Sequence, residues 1–117
     1  REGRNNDAET VADTLARLNK SGLPERGVID ASHGNSSKNH EKQVDVLDDI
    51  AARLEAGEKG VVGVMVESFI EAGRQDLTLG KSEELTYGQS ITDACIDWNT
   101  TAAQLDRLAQ AVAARRK

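Results

Sequence analysis

His33 ends a strand-like apolar run, Val28-Ile29-Asp30-Ala31-Ser32, and opens a small polar loop, Gly34-Asn35-Ser36-Ser37-Lys38. A second apolar run, Val61-Val62-Gly63-Val64-Met65-Val66, ends in the same way at Glu67-Ser68. Imidazole nitrogen and carboxylate oxygen are donors suited to a divalent ion such as Mn, Fe, Co or Zn. Ligand sites in parallel sheets lie beyond the carboxyl ends of the strands. Alone, a histidine near a strand end reads as a hydrogen-bonding residue, and a terminal carboxylate reads equally as structural. At equivalent heights on neighbouring strands the two become candidate metal ligands. Asp93, in Gly88-Gln89-Ser90-Ile91-Thr92-Asp93-Ala94-Cys95, is the third candidate. Spacing does not bring it to the other two, and alone it reads as a helix-start carboxylate. Cys95, between Ala94 and Ile96, reads as a small buried thiol. His40, among Lys38, Glu41 and Lys42, reads as solvated.

The elements that must position these residues follow the order helix, strand, helix, strand, long loop, helix. Val11, Leu15 and Leu18 give a helical face within about 7–20, with Gly22 and Pro24 as its stop. The first strand runs about 27–31. The second helix runs about 39–56, with Val44, Leu47, Ile50, Ala51 and Leu54 as its stripe. The second strand runs about 60–66. Both strands are continuous apolar runs, the pattern of parallel strands covered on both faces. Residues 68–89 hold Gly73, Gly80 and Gly88 with little periodicity, the character of a functional or mobile loop. Residues 90–97 are expected to form a short helical turn. The last helix runs about 100–116, with Leu105, Leu108 and Val112 inward and Arg115, Arg116 and Lys117 complementing its dipole. Two parallel strands do not make a self-sufficient sheet. The pattern is that of the last two strands and last three helices of a (β/α)8 barrel, with 1–117 as one part of a longer domain.

The 117 residues carry a net charge of −5 and only 3% aromatics. That balance argues against a basic nucleic-acid face. No apolar run reaches the ~18 residues of a membrane span. One cysteine excludes an internal disulfide and suits a reducing cytosol. There is no phosphate-binding glycine loop, HExxH, CxxC or GxSxG motif.

Three segments together resemble type I 3-deoxy-D-arabino-heptulosonate 7-phosphate (DAHP) synthases. They are Asp30-Ala31-Ser32-His33-Gly34-Asn35-Ser36-Ser37-Lys38, Gly63-Val64-Met65-Val66-Glu67-Ser68, and Tyr87-Gly88-Gln89-Ser90-Ile91-Thr92-Asp93-Ala94-Cys95-Ile96. The closing Ala113-Ala114-Arg115-Arg116 is similar to the family's C-terminus. The resemblance implies the C-terminal third of a (β/α)8 barrel. It implies one divalent metal held by Cys, His, Glu and Asp, with His33, Glu67 and Asp93 on the last three positions. Cys95 does not match the cysteine position, so the ligand set here is incomplete. The implied reaction joins phosphoenolpyruvate to D-erythrose 4-phosphate and releases phosphate, with the metal polarising the aldehyde and His33 as a candidate for proton handling. A cytoplasmic homo-oligomer is implied, and the 117 residues alone are expected to be inactive. The competing expectation is a non-catalytic folded or oligomerising module that keeps these motifs as structure.

Overall fold

Asp7 stands in extended backbone, and its side chain accepts a hydrogen bond from Thr10 N at 3.0 Å. This cap opens α1, Ala8–Lys20. The computed structural model describes residues 3–37 and 39–117; Arg1, Glu2 and Lys38, the last residue of the His33 motif, lie outside the described residues. At the end of α1, Gly22 takes a φ of 75° and Leu23 N bonds back to Leu18 O at 2.9 Å. Glycine adopts that left-handed turn without the strain a side chain would add.

Beyond the turn come β1 (Gly27–Asp30), α2 (Lys42–Glu55), β2 (Val61–Met65) and α3 (Trp98–Arg115). β1 and β2 pair in parallel as a two-stranded sheet. Gly27 faces Val61, but Val28 faces Gly63, so Val62 is an extra residue on β2. Such a bulge changes which side chains share a face. Before it Val61 is buried; after it Val64 and Val66 pack against the same core, with Ile29 from β1.

That core lies between the sheet and the helices. Val46, Leu47, Ile50, Ala51 and Leu54 of α2 meet Val11 of α1 and Ala111 of α3 there. Leu47 and Ile50 are each 1% exposed, and burying each side chain contributes roughly 1.5–3 kcal/mol.

Val28 and Val62 remain 65% and 57% exposed, so one sheet face is open among the described residues, as three helices are too few to cover both faces. All three helix stripes converge on the core that holds Ile29 and Val61, which leaves the other face without cover. Several expectations are corrected. On α2, Val44 is only half-buried, while Gln43 and Val46 occupy the inner stripe. On α3, Leu105 is 52% exposed, and Thr101 and Ala111 are the buried positions. The helix also begins earlier than expected, because Asp97 accepts a hydrogen bond from Thr100 N at 2.8 Å and fixes the start at Trp98. Arg115 does more than complement the dipole: Nη1 donates to Glu58 O at 3.1 Å, tying α3 to the approach of β2.

Residues 90–97 form no helical turn. Gly73 and Cys95 exchange both backbone hydrogen bonds, at 2.8 and 3.2 Å, and Ile96 N donates to Glu67 O at 3.0 Å. Extended pairing takes the backbone groups that a helical turn would need. The long segment before it is cross-linked too. The Gln75 side chain donates to Thr86 O at 2.9 Å and Gln89 O at 3.0 Å, and accepts from Thr86 N at 2.8 Å.

Candidate metal centre

β1 ends at Asp30, and the next residues fold around its carboxylate. Ser32 N and Ser32 Oγ both donate to Asp30 Oδ1, at 2.8 and 2.6 Å. Asn35 Nδ2 donates to Asp30 O at 2.7 Å, and Asn5 N donates to Asn35 Oδ1 at 2.6 Å. Held this way, His33 enters a 3-10 turn, His33–Ser36, with a φ of 49°. A left-handed histidine is uncommon, and such backbone persists where its surroundings over-determine it.

The turn brings His33 Nδ1 to 2.9 Å from Asp30 Oδ2. With Nδ1–H donating to that carboxylate, Nε2 keeps its lone pair on the opposite side of the ring. Nε2 lies 3.2 Å from Glu67 Oε1 and 3.5 Å from Asp93 Oδ2. One ligand atom from each of His33, Glu67 and Asp93 falls within 4.8 Å of the others. The structure thus brings together all three residues singled out from the sequence, and it leaves Cys95 outside the group. The three line one cleft of about 270 Å³ with Ser36, His40, Arg74 and Ala94.

Glu67 stands two residues past β2. Its N–H donates to Gln43 Oε1 at 2.9 Å, and its carbonyl accepts from Gln43 Nε2 at 3.1 Å. Asp93 is reached differently. Arg74 Nε donates to Thr92 O at 2.7 Å, and Ser90 Oγ accepts from Thr92 N at 3.1 Å. These bonds hold the loop immediately before Asp93, whose own side chain is 69% exposed.

Charge explains the protonation tendencies. The hydrogen bond to Asp30 raises the His33 pKa above its ordinary value, and the Glu67 charge adds to this. Burial raises the Glu67 pKa; His33 opposes that and the Asp93 charge reinforces it. For Asp30, burial works against the carboxylate, but hydrogen bonds from Ser32 and His33 outweigh it and hold its pKa low. Burial pushes the Cys95 thiol up, which disfavours the thiolate that a metal needs. Three carboxylates crowd one imidazole, an arrangement whose charge a cation would relieve. One imidazole nitrogen and two carboxylate oxygens form a donor set that fits a divalent first-row metal.

Sequence reasoning missed Asp30, Gln43, His40 and Arg74 as parts of this site. Asp30 had a signal, an acid at a strand end three residues before the histidine. Gln43 had one too, a polar residue in register with Val46, Leu47 and Ile50. Contrary to the solvated reading, His40 is half-buried and lines the cleft. Arg74 carried no signal, because nothing in an aperiodic segment says what it will touch.

Comparison with known proteins bears on this site. A tyrosine-inhibited phospho-2-dehydro-3-deoxyheptonate aldolase of Schizosaccharomyces pombe is 51% identical over 119 residues, covering 100% of this chain and 32% of its own length. The Phe-sensitive phospho-2-dehydro-3-deoxyheptonate aldolase of Escherichia coli K12 is 52% identical over 112 residues, 96% of this chain and 31% of that one. The solved structure of phospho-2-dehydro-3-deoxyheptonate aldolase from Francisella tularensis SCHU S4 superimposes with a TM-score of 0.90 at 44% identity, over 98% of this chain and 33% of that chain. The chain therefore spans about a third of the length of these relatives. The model of the DAHP synthetase I family matches residues 1–106, and the chain belongs to that family.

Proposed function

We propose that residues 1–117 are the C-terminal third of a (β/α)8 barrel that condenses phosphoenolpyruvate with D-erythrose 4-phosphate, giving DAHP and phosphate. One observation carries the reading. A histidine and two carboxylates converge within 4.8 Å, beyond the carboxyl ends of two adjacent parallel strands. In such barrels that rim carries the chemistry. Family membership and the relatives' names as phospho-2-dehydro-3-deoxyheptonate aldolases support the reaction.

His33 contributes Nε2 to the metal site, and Glu67 and Asp93 contribute one oxygen each. A divalent ion such as Mn, Fe, Co or Zn supplies Lewis acidity for the aldehyde and stabilises developing negative charge. Asp30 keeps the proton of His33 on Nδ1 and fixes the ring plane. With Nε2 given to the metal, the proton that His33 holds is the one on Nδ1, 2.9 Å from Asp30 Oδ2. In the overall change, a carbon–carbon bond forms between C3 of phosphoenolpyruvate and the aldehyde carbon, water adds at C2, and phosphate departs. The remaining metal ligand and most of the phosphate-binding cations belong, on this reading, to the rest of the barrel.

The open sheet face fits the same reading, with Val28 and Val62 packing against the remainder of the barrel. The protein works in the cytoplasm as a homo-oligomer. The single cysteine suits a reducing compartment, and Leu79 and Tyr87, 89% and 87% exposed, offer apolar surface for association. The test is a colorimetric DAHP assay of the complete protein with both substrates and Mn²⁺. Product and stoichiometric phosphate are expected from the complete protein, with none from the 117 residues alone. Failure of the metal-loaded complete protein to release phosphate overturns the reading.

A further inference from the structure

Gln43 is 0% exposed and lies in the first turn of α2. Its stripe partners, Val46, Leu47 and Ile50, are apolar core residues. A primary amide in such a position carries a heavy desolvation cost unless its donor and acceptor are both used. Both are used on one residue: Oε1 accepts from Glu67 N at 2.9 Å, and Nε2 donates to Glu67 O at 3.1 Å. This is the pair of bonds that a neighbouring strand would supply. β2 ends at Met65, and β1 gives its last backbone bond there, from Ala31 N to Met65 O at 2.8 Å. Glu67 lies beyond that pairing, so the sheet alone does not hold it. Its carbonyl also accepts from Ile96 N at 3.0 Å, three residues after Asp93. The Glu67 peptide groups are thus pinned by helix α2 on one side and by the Asp93-bearing segment on the other.

We infer that Gln43 is a positioning residue for the metal site: its side-chain amide stands in for a missing strand and fixes where Glu67 presents its carboxylate. Gln43 does not line the cleft itself. The inference rests on the reading of His33, Glu67 and Asp93 as ligands. Removing the amide leaves the Glu67 N–H, in a half-buried place, without its acceptor. The backbone then relaxes, and the carboxylate leaves its position beside His33 Nε2.

The test uses the complete protein and reads Mn²⁺ affinity by electron paramagnetic resonance of the free ion. Gln43→Met keeps the length and volume of the side chain and removes both hydrogen bonds. The control is Leu54→Ala, a cavity in the same helix remote from the cleft. Both are measured at a temperature where circular dichroism shows them folded. Gln43→Met is expected to weaken Mn²⁺ binding by about 10–100-fold, the usual effect of losing a group that orients a metal ligand. Leu54→Ala is expected to leave the affinity unchanged. Equal affinities in Gln43→Met and wild type overturn the inference, as does an equal loss in both variants, which marks a merely structural role. If Gln43→Met does not fold, Gln43→Glu takes its place. It keeps the acceptor for Glu67 N and loses the amide donor; weakened binding supports the inference and unchanged binding overturns it. Glu67→Ala separates the two claims. If it binds Mn²⁺ like wild type, the ligand assignment itself falls; if it loses Mn²⁺ while Gln43→Met does not, only the role of Gln43 falls.

Discussion

The two sides of the cleft are built in different ways. His33 and Glu67 follow paired strands and are braced by buried groups, Ser32 and Asn35 on one strand end and Gln43 on the other. Asp93 hangs on a loop that is itself held by another loop, through Arg74, Ser90 and the Gly73–Cys95 bridge. The sheet side is over-determined, whereas the loop side relies in part on the bond from Arg74, whose side chain is 46% exposed. Exposed contacts of that kind contribute less than buried ones. Preorganisation should therefore be concentrated at His33 and Glu67, with Asp93 completing the set.

If that contrast is right, the largest losses come from the sheet side. His33→Ala and Glu67→Ala in the complete protein should each purify essentially free of metal by inductively coupled plasma mass spectrometry and lose most activity. Either variant retaining stoichiometric metal would erase the distinction. Asp30→Asn should come next. It keeps the shape but removes the charge that orients the His33 ring, so the Mn²⁺ dissociation constant should rise about 10–100-fold in titration calorimetry. On the loop side, Arg74→Ala removes the 2.7 Å bond to Thr92 O. Its effect on the same constant should fall below that of Asp30→Asn, at about tenfold or less. A larger loss from Arg74→Ala would invert the ranking of the two sides.

The smallest expected effect concerns the end of the Asp93 segment, where Asp97 caps α3. Hydrogen bonds donated by the Thr100 side-chain hydroxyl and backbone N–H lower the Asp97 pKa below its unfolded value. A depressed carboxylate stabilises the fold above the unfolded pKa and loses that contribution as pH falls through the folded pKa. The melting temperature of Asp97→Ala should thus lie below wild type at neutral pH, with the gap closing under acidic conditions below the ordinary aspartate range. A gap that stays constant into acid would mean that the charge of Asp97 has no part in it.

The same contrast governs how much of the molecule is legible in sequence. His33 and Glu67 can be read directly, because a continuous apolar run that stops at a donor residue marks a strand end. Their parallel pairing follows from the amphipathic helix between them. Asp93 could be named as a third candidate, but spacing did not bring it to the other two, and only resemblance to a family placed it with them. The contacts that bring it in, Arg74 with Thr92 and Gly73 with Cys95, join stretches without periodicity. The bulge at Val62 is invisible in a run of valines, so the face each residue takes cannot be counted out along β2. Asp30 and Gln43 were readable as polar residues in apolar register, but what they bind depends on where Ser32, His33 and Glu67 end up. Helix ends followed local rules where a cap or a glycine was present, at Gly22. They drifted where a reader passes over the capping acid, as at Asp97.

The most direct test of the metal centre is a crystal structure of the complete protein soaked in Mn²⁺, with anomalous data collected above and below the manganese edge. The account predicts a single strong peak in the cleft, within about 2.0–2.4 Å of His33 Nε2 and of one oxygen each from Glu67 and Asp93. A peak bound to Cys95 and Asp93 without His33, or ordered protein with no peak between His33 and Glu67, would contradict it.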